Sequence, residues 1–314
     1  NLKVLVVGEA IVDQYDYVLP MEMSPKGRVV ATKLLDSELY AGGSVACANH
    51  IANFCSKVKL VTSLGAQNSH ESFIRNSLTF NISPHFLIRE GVGTIVKVRQ
   101  IDRTYFKKHA ETYIFDDSPI NPAEENKLLG LLNNLVDFDL VVAADFGHGL
   151  ITKRIIDYLC RQARFLAVNT QANSANKGFH VITRYPRVDY ANVDTFEARL
   201  AMRNRVDDYP KLARALKNLL QSQVVTITLG HKGSIIHGNA GTYLTPELSR
   251  NVIDPTGAGS AYLSLTSLCV RAGLPLDLVG FIGNASGALA TTYVGNKMFI
   301  SPNMLLAFIS SLLA

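Results

Sequence analysis

Short apolar runs rich in β-branched residues alternate along the chain with stretches of helical periodicity. Runs such as VLVV and LVVAA contain no polar position, which is typical of strands buried on both faces of a parallel sheet. We therefore predict an α/β fold of the doubly wound type, with helices on both faces of a mostly parallel sheet. The predicted strands cover residues 4–7, 58–62, 140–144, 165–169, 190–193 and 224–229. The predicted helices cover residues 45–54, 69–78, 122–135, 153–164 and 209–222, and residues 260–293 and 303–313 are predicted to be mostly helical.

Two segments, at about residues 13–40 and 91–116, interrupt this alternation. Their polar and apolar residues alternate, as in RVVATKLL and TIVKVRQID, and they carry many charges. This pattern predicts half-exposed strands of a small second sheet. Such a flap can cover a ligand and exclude water from it, although an ordinary surface hairpin has the same pattern. We expect a single domain over residues 1–314 that carries this sheet as a lid.

The composition narrows the classes of function. The chain has 314 residues, of which 47% are hydrophobic, and its net charge of +5 is spread out without long basic runs. It has no Trp and no interleaving of aromatic and basic residues, so a nucleic-acid-binding surface is not expected. The four cysteines lie apart without metal-ligand spacing, which favours buried thiols in a reducing cytoplasm. They are Cys47, Cys55, Cys160 and Cys269.

Apolar stretches and the start of the sequence indicate whether the chain carries a membrane span or a targeting signal. No apolar stretch reaches the roughly 20 residues that a bilayer span needs, and no charged-then-apolar leader opens the sequence. The first residue is Asn1 rather than Met. We therefore expect a piece of a longer or processed protein.

The segment NVIDPTGAGSAY, residues 251–262, runs from an extended stretch through a glycine-rich turn into an apolar helix. Gly257 and Gly259 let the backbone turn tightly, and the first amide groups of the helix have no partner within it. Such groups form an anion hole of the kind that stabilises charge on a phosphoryl group during transfer. Plain turn chemistry would explain the same glycines equally well.

Taken together, the motifs resemble those of the ribokinase-like, or PfkB, carbohydrate kinases over essentially the whole chain. The matching segments are VVGEAIVDQYDYV, AGGSVACANHIANF, VVAADFGHGLI, TLGHKGS, IDPTGAGSAY and GNASGALATTYVG. The resemblance implies that the residues that bind the acceptor sugar are Asp13, Gly42, Gly43, Asn49 and Asp145. It implies that the residues that bind the nucleotide are Thr228, Gly230, Gly233 and Asn284. The anion hole is expected at Gly257, Ala258 and Gly259.

Within this family, the chain most resembles the kinase domain of proteins that join a heptose 7-phosphate kinase to a nucleotidyltransferase. The resemblance implies ATP and Mg²⁺ as cofactors, a small-molecule sugar or sugar phosphate as substrate, a fused nucleotidyltransferase domain, and a homodimer formed through the lid. Basic residues of the lid would suit a phosphate on the sugar, although a solvated strand carries similar charges. These residues are Lys97, Arg99, Arg103, Lys107 and Lys108.

The most important departure from the family pattern is Ser260. The family's GAGD motif ends in the Asp that removes a proton from the sugar hydroxyl, and this chain has Ser260 there. A serine hydroxyl has no basic form near neutral pH, and general-base help is worth about 10² to 10⁴ in rate. We therefore expect the transfer of phosphate to be impaired, while binding is retained.

Two further positions depart from the pattern. Ala46 replaces the Asn that usually follows the glycine pair, and Asn49 lies beyond it. The Asn-x-x-Glu motif that organises magnesium aligns at residues 192–195 and ends in Thr. The nearest carboxylates are Asp194 and Glu197, either of which can hold waters of a cation. Glu197 is alternatively a surface residue of the helix EARLAM.

Several explanations stay open at this point. Ser260 reflects a natural loss of the base, an engineered substitution, or the use of another carboxylate, with Asp254 and Asp145 as candidates. The chain is accordingly an ATP-dependent sugar kinase, or a catalytically silent module that binds sugar or nucleotide or serves as a scaffold. A dinucleotide-dependent oxidoreductase is disfavoured, because the first turn, GEAIVD, lacks the G-x-G-x-x-G spacing.

Overall fold

The structure, a computed structural model, describes residues 2–249 and 251–313, so Asn1 lies outside the described residues. In chain order the strands are β1 (Val4–Gly8), β2 (Ala10–Met23), β3 (Val30–Gly43), β4 (Val58–Gln67), β5 (Ile82–Gly93), β6 (Ile95–Asp102), β7 (Lys108–Ile114), β8 (Leu140–Asp145), β9 (Leu166–Thr170), β10 (Tyr190–Asp194), β11 (Val224–Thr228), β12 (Ser234–Gly238) and β13 (Gly241–Thr245). The helices are α1 (Ser44–Ala52), α2 (Glu71–Asn76), α3 (Pro122–Leu131), α4 (Lys153–Gln162), α5 (Thr195–Met202), α6 (Tyr209–Leu219), α7 (Ala258–Arg271), α8 (Leu276–Ala290) and α9 (Pro302–Leu313).

The main sheet has nine strands in the order β13-β12-β11-β10-β9-β8-β1-β4-β5, which confirms the predicted α/β fold. All neighbouring pairs from β11 to β5 are parallel, and β12 and β13 are antiparallel at one edge. Each of the six predicted strands forms. All five residues of the central strand β1 are buried, which explains its uninterrupted apolar run.

Three strands of this sheet are missing from the prediction. β5 is an edge strand that pairs only with β4, and its buried and exposed residues mix along its length. β12 and β13 are five residues each and form a hairpin at the other edge. Short or half-covered strands carry a weak apolar pattern, so the sequence signal for them is low.

The segment predicted to be mostly helical, residues 260–293, forms two helices with a break between them. α7 ends at Arg271 and α8 begins at Leu276. Gly273 between them has a φ of 76°, and Pro275 immediately precedes α8. Both features end a helix, the first by reversing the backbone and the second by removing an amide donor. The other predicted helices form, and most of them are shorter than predicted.

The second sheet has the order β3-β2-β6-β7, and its strands lie at the two segments predicted for the lid. β2 begins one residue after β1, so this lid sheet extends directly from the carboxyl end of the central strand. β3 ends at Gly43, where φ is 62° and a Cβ would lie 2.3 Å from the main-chain oxygen of Glu9. Only glycine allows the chain to pass from β3 into α1 at this distance. How the chain divides into domains stays a prediction.

Two apolar cores cover the two faces of the main sheet. One lies beneath α3, α4, α5 and α6, and the other lies beneath α1, α7 and α8. The four cysteines are free thiols, and three of them are buried. Within residues 2–249 and 251–313, no helix has the length and apolar character of a membrane span. With both faces covered, the edge at the carboxyl ends of the strands is the expected place for a ligand.

Candidate functional site

Polar side chains meet where the parallel strands end. Glu9 follows β1, Asp145 ends β8, Asp194 ends β10 and Thr228 ends β11. Asp194 and Thr228 are direct partners in neighbouring strands. Ligands of open α/β sheets bind in the crevice outside this edge. The fold therefore brings residues predicted for the sugar, the nucleotide and the cation to the same edge.

A cavity of about 360 Å³ joins the predicted nucleotide residues to the glycine-rich turn, and we call it the GAG cavity. Its wall contains the six residues Thr228, Gly230, Gly233, Asn284, Ala258 and Gly259. Much of the remaining wall is apolar and includes Leu248, Val252, Pro255 and Ala288. An apolar slot with a few polar groups at one end is the usual composition of a small-molecule site.

The glycine-rich turn leads into α7 as the sequence predicts. Gly257 has a φ of 91°, and a Cβ on it would lie 2.4 Å from Asn296 Oδ1. No side chain caps the start of the helix. Ala258 N donates to Pro255 O at 3.3 Å, whereas the amide groups of Gly259 and Ser260 have no partner in the described residues and are available to an anion, as the predicted anion hole requires.

Ser260 lies in the first turn of α7 and is partly buried. It hydrogen-bonds with the thiol of Cys47. Burial raises the pKa of this thiol to about 11, although the hydrogen bonds with Ser260 and Ser264 oppose the shift. Neither the hydroxyl nor the thiol is therefore a base at neutral pH.

Asp254, one of the two alternative bases, is buried and is held by four donors. The Tyr15 hydroxyl donates to Oδ2 at 2.5 Å, and Lys108 Nζ lies 3.0 Å from Oδ1. The main-chain N–H groups of Thr256 and Gly295 donate at 3.0 and 2.9 Å. Burial raises the pKa of Asp254, but these bonds and the charge of Lys108 outweigh it and hold the pKa below its usual value. Asp254 therefore joins the lid to the turn and is a poor proton acceptor.

Asp145, the other alternative base and a predicted sugar ligand, is also buried. Tyr185 donates to Oδ2 at 2.8 Å, and His180 Nε2 lies 3.0 Å from Oδ1. Burial alone would lower the pKa of His180, but the bond to Asp145 and its charge raise the pKa above the usual value. Both oxygens of Asp145 are thus engaged within the protein, which leaves neither free to act as the base.

The predicted sugar residues Asp13 and Gly42 lie against each other. A Cβ on Gly42 would be 2.3 Å from Asp13 Oδ2, and Arg99 Nη1 lies 2.5 Å from Asp13 Oδ1. Asn296 Nδ2 lies 3.5 Å from Asp13 Oδ2, while its Oδ1 faces Gly257. Asn296 therefore bridges the sugar side and the glycine-rich turn. It was not predicted, because it falls one residue beyond the segment GNASGALATTYVG.

A second cavity of about 360 Å³, the lid cavity, lies between the lid sheet and the loop that follows β9. Its charged lining residues are Lys97, Arg99, Glu111 and Lys177. Glu111 binds Arg99, with Oε1 3.0 Å from Nε, so the cavity has an excess of positive charge. The loop adds the polar side chains of Gln171, Asn173 and Ser174.

Lys97 is the most unusual residue of the lid cavity. It is 4% exposed, and no carboxylate of the described part of the chain lies within 4.0 Å of its Nζ. The nearest partner is the ring of Tyr113, with a centroid 5.1 Å away. Burial lowers the pKa of Lys97, although the charge of Asp13 opposes the shift. An ammonium group in such a place is costly without a counter-ion, so the lid cavity is a candidate anion site.

Only two of the five lid cations predicted to hold a phosphate lie at this cavity. They are Lys97 and Arg99. Arg103 and Lys107 are exposed between β6 and β7, and Lys108 binds Asp254. The periodicity of a strand does not distinguish these roles, because a short hairpin directs neighbouring cations to different surfaces.

His148 is a further buried polar residue that the sequence did not single out. It is 1% exposed, and neither ring nitrogen has a hydrogen-bond partner in the described part of the chain. Its ring lies 5.0 Å from the ring of Phe115, just after β7. Burial, together with the charge of Lys97, lowers the pKa of His148 to about 3, so the ring is neutral. Its main-chain N–H donates to Glu9 Oε1 at 3.1 Å, which holds the loop in place.

Asn49 does not have the contacts expected of a sugar ligand. It is fully buried in α1, where Nδ2 donates to Ser77 O at 3.0 Å and Oδ1 accepts from Thr79 N at 3.0 Å. Both ends of the amide therefore hold the connection that follows α2. The structure thus shows a structural role for Asn49, and its role in sugar binding stays a prediction.

Asp194 and Glu197, the predicted cation residues, form the capping box of α5. Asp194 Oδ1 accepts from Glu197 N at 2.7 Å, and Glu197 Oε2 accepts from Asp194 N at 2.8 Å. Glu197 Oε1 accepts from Ala172 N at 2.9 Å. The interpretation of Glu197 as a surface residue is wrong, because it is 7% exposed. Burial and the neighbouring charge of Asp194 raise the pKa of Glu197 to about 8.

No direct metal cluster accompanies this pair. Among the residues that the structure describes, no group of three or more His, Cys, Asp or Glu side chains is arranged to hold a metal ion. Asp194 is exposed beside Thr228 of the GAG cavity, whereas both oxygens of Glu197 are engaged. Asp194 is thus the member of the pair that remains accessible to a hydrated cation.

The fold and the site define a class of α/β protein with a glycine-rich turn at a helix start and a β-sheet lid. Within that class, a sequence model of the pfkB family carbohydrate kinases matches residues 1–301, and the chain belongs to this family. This confirms the resemblance on which the predicted site residues depend.

Curated relatives are similar over most of the chain. The bifunctional protein HldE of Actinobacillus pleuropneumoniae serotype 5b (strain L20) is 23% identical over 300 residues, which are 95% of this chain and 62% of that protein. HldE of Shewanella sp. (strain MR-4) is 26% identical over 299 residues, which are 94% of this chain and 61% of that protein. The chain therefore spans less than two thirds of the length of these relatives.

Solved structures share the fold. Ribokinase from Thermotoga maritima has a TM-score of 0.78 at 16% identity, with 99% of this chain and 100% of that chain covered. Phosphofructokinase-2 from Escherichia coli in complex with fructose-6-phosphate has a TM-score of 0.77 at 13% identity, with 100% of both chains covered. At these identities the likeness concerns the architecture, which is ribokinase-like as predicted.

Proposed function

We propose that this chain binds ATP and a sugar phosphate in the manner of a carbohydrate kinase, and that Ser260 makes phosphoryl transfer slow or absent. The observation that carries the proposal is the GAG cavity, whose wall combines the nucleotide-side residues with the glycine-rich turn. The alternative is a catalytically inactive module that binds sugar or nucleotide or serves as a scaffold. It differs from the proposal in that no phosphoryl transfer takes place.

The GAG cavity suits a nucleoside triphosphate. The base occupies the apolar part near Leu248, Val252 and Ala288, and the phosphates extend to the open amide groups at the start of α7. Mg²⁺ usually keeps several waters and is held by substrate phosphates with one or two carboxylates. Asp194 would hold one such water, and the ion would neutralise charge on the phosphates.

The lid cavity suits a phosphate group on the acceptor. Arg99 lines this cavity and also binds Asp13, so the cavity adjoins the predicted sugar residues. Lys97 and Lys177 supply positive charge without a carboxylate partner at 4.0 Å in the described residues. A heptose 7-phosphate, which the family resemblance implies, has this chemistry, as do other sugar phosphates.

The acceptor hydroxyl lacks a base in this site. Asp254 and Asp145 are both held by donors within the protein, and Asp13 pairs with Arg99. Ser260 occupies the position of the family Asp and cannot take the proton at neutral pH. Positioning and the anion hole remain, so the binding of both substrates is expected to survive the loss of catalysis.

The test is to measure phosphoryl transfer by the parent chain, Ser260→Asp and the matched control Ser260→Asn. The panel of acceptors includes heptose 7-phosphate, fructose 6-phosphate and unphosphorylated hexoses, with nucleotide binding followed by calorimetry. We expect Ser260→Asp to exceed the parent by about 10² to 10⁴ in rate, since it restores a general base, and Ser260→Asn to stay at the parent level. Turnover by the parent at the rate of Ser260→Asp would contradict the assignment of the base. Failure of all three proteins to bind ATP would contradict the nucleotide site.

The remaining expectations concern the whole protein and follow from the family resemblance. We propose that the chain acts in the cytoplasm, that it forms a homodimer through its lid, and that it is joined to a nucleotidyltransferase domain in a longer protein. The relatives named as bifunctional proteins support the last of these, because the matched region is 61–62% of their length.

A further inference from the structure

Lys97 presents a buried amine to the lid cavity. It lies on β6, is 4% exposed and lines the cavity. The carboxylates whose charges act on it are Asp13, Glu9 and Glu111. Arg99 binds two of them, with Nη1 2.5 Å from Asp13 Oδ1 and Nε 3.0 Å from Glu111 Oε1. Glu9 is held by main-chain N–H groups of the loop that follows β8, so none of the three forms an ion pair with Lys97 in the described part of the chain.

The surroundings of Lys97 favour a neutral amine. Burial lowers the pKa of Lys97 and the charge of Arg99 lowers it further, while the charges of the three carboxylates oppose the shift. The ring of Tyr113, with its centroid 5.1 Å from Nζ, attracts an ammonium group less than a paired carboxylate would. A desolvated lysine beside another cation is the setting in which the amine attacks carbonyl groups. Lys177 lines the same cavity but is exposed.

The same cavity can hold a phosphate group near this amine. Arg99 and Lys177 supply positive charge, and the loop that follows β9 supplies polar side chains. A ligand with a phosphate and an aldehyde can bind through the phosphate and present its carbonyl carbon to Lys97. Larger sugar phosphates close into rings that mask the carbonyl, whereas short aldose phosphates keep it free. The lid cavity therefore suits a short, open-chain phosphorylated aldehyde.

We infer that Lys97 forms a reversible imine with the aldehyde group of a phosphorylated open-chain sugar bound in the lid cavity. The neutral Nζ attacks the carbonyl carbon and a C–N bond forms, and the carbonyl oxygen leaves as water with the two hydrogen atoms of the amine. The imine nitrogen then takes up a proton, so the position keeps a positive charge. No oxidant or reductant takes part. The inference goes beyond phosphoryl transfer and rests on the proposed function only in that the lid cavity takes a phosphate.

An imine at Lys97 would occupy the acceptor side of the site. Lys97 and Asp13 are direct partners in the neighbouring strands β6 and β2, so the captured aldehyde lies beside a predicted sugar residue. We therefore expect the adduct to exclude a second sugar phosphate.

The experiment uses erythrose 4-phosphate, in which the phosphate occupies the hydroxyl that would close a ring. The parent chain is incubated with this aldehyde, sodium borohydride reduces any imine to a stable secondary amine, and peptide mass spectrometry locates the adduct. We expect the adduct at Lys97. Erythritol 4-phosphate, which has the same phosphate but no carbonyl, should compete with its formation, and the reduced adduct should no longer bind fructose 6-phosphate.

A matched pair of variants separates the two lysines of the cavity. Lys97→Arg keeps the positive charge, but a guanidinium group stays protonated, so the adduct should be lost while erythritol 4-phosphate still binds. Lys177→Arg makes the same change at the exposed lysine and should keep the adduct at Lys97. Thermal unfolding checks that both variants remain folded. The location of the adduct in the parent chain does not depend on either variant.

Calorimetry with erythritol 4-phosphate and fructose 6-phosphate distinguishes this inference from the proposed function. If the parent chain binds neither, the lid cavity is not a phosphate site, and that part of the proposed function fails together with the inference. If the parent binds a phosphate but Lys97 has no adduct, the proposed function stands and the inference is overturned. Equal modification of Lys97 and the exposed Lys177 also overturns it, because the buried amine then has no special reactivity.

Discussion

At the scale of the residue, the position of Asn296 explains why residue 257 of the glycine-rich turn is a glycine. Its Oδ1 lies 2.4 Å from the position that a Cβ on Gly257 would take, and its Nδ2 lies 3.5 Å from Asp13 Oδ2. The same amide thus keeps the turn close to the predicted sugar ligand. Gly259 is different, because no heavy atom lies within 4 Å of a Cβ built on it.

This difference gives a paired prediction. Gly257→Ala should lower the free energy of unfolding by about 1–3 kcal/mol, because it forces a positive φ on alanine and a contact with Asn296. Gly259→Ala, in the first turn of α7, should change stability by about 1 kcal/mol or less. Urea unfolding of both variants checks this. Equal losses would show that the φ and the contact at Gly257 are not the cause.

Glu197 makes stability depend on pH. Its pKa is raised from 4.5 to about 8 by burial and by the charge of Asp194, so the folded chain binds this proton more tightly than the unfolded chain. The stabilisation is complete below about pH 4.5 and is lost as the pH rises through about 8. Between these values the free energy of unfolding should fall as the pH rises.

The neutral variant Glu197→Gln tests this dependence. Its free energy of unfolding should fall less over the same range, because glutamine does not titrate there. Urea unfolding at several pH values measures both slopes, and the exposed Glu247→Gln serves as the control. Identical slopes for Glu197→Gln and the parent would exclude Glu197 as the source.

At the scale of the element, Asp254 connects the lid to the glycine-rich turn. Tyr15 of β2 and Lys108 of β7 reach it from the lid, and the main-chain N–H groups of Thr256 and Gly295 reach it from the site. Lys108 Nζ also donates to the Thr256 hydroxyl at 2.9 Å. We therefore expect β7 to be held over the site by this contact.

Lys108→Met should loosen β7 without unfolding the chain. Lys108 is partly exposed, so its loss should cost about 1 kcal/mol or less, and Asp254 keeps its other three donors. Hydrogen exchange in β7 should become faster, while exchange in β1 and β8 stays slow. Lys107→Met removes a neighbouring exposed cation and should leave exchange unchanged. If both variants behave alike, the contact between Lys108 and Asp254 does not hold β7 over the site.

At the scale of the whole molecule, the far half of the lid exposes apolar side chains that the chain itself does not cover. Their exposed fractions are 45% for Leu19, 50% for Met21, 58% for Met23, 57% for Val30 and 59% for Leu34. A concentration of apolar surface on a projecting sheet is typical of an interface. It supports the homodimer that the family resemblance implies.

Leu34→Glu should therefore shift a dimer to the monomer, because it places a charge in the apolar interface. Val206→Glu is the matched control, since Val206 is 92% exposed but lies between α5 and α6, away from the lid. Sedimentation velocity at several concentrations measures the mass. A parent chain that stays monomeric would overturn the dimer, and a dimer that tolerates Leu34→Glu would place its interface elsewhere.

The sequence by itself determined the main features of the fold and the position of the turn. The buried runs of β1 and β8, the alternating lid segments and the GAG glycines are readable because periodicity and backbone conformation are properties of neighbouring residues. The break between α7 and α8 had a local signal too, in Gly273 and Pro275, which the overall apolar character of the segment concealed.

Only the tertiary structure decided what the polar residues do. Asp254 is held by Tyr15, 239 positions away, and Asn296 meets Asp13 across 283 positions. Asn49 and Glu197 are engaged by main-chain groups of distant loops, contacts that the sequence did not indicate. A side chain's partners depend on which strands end at the same edge of the sheet, and that arrangement arises only when the core packs.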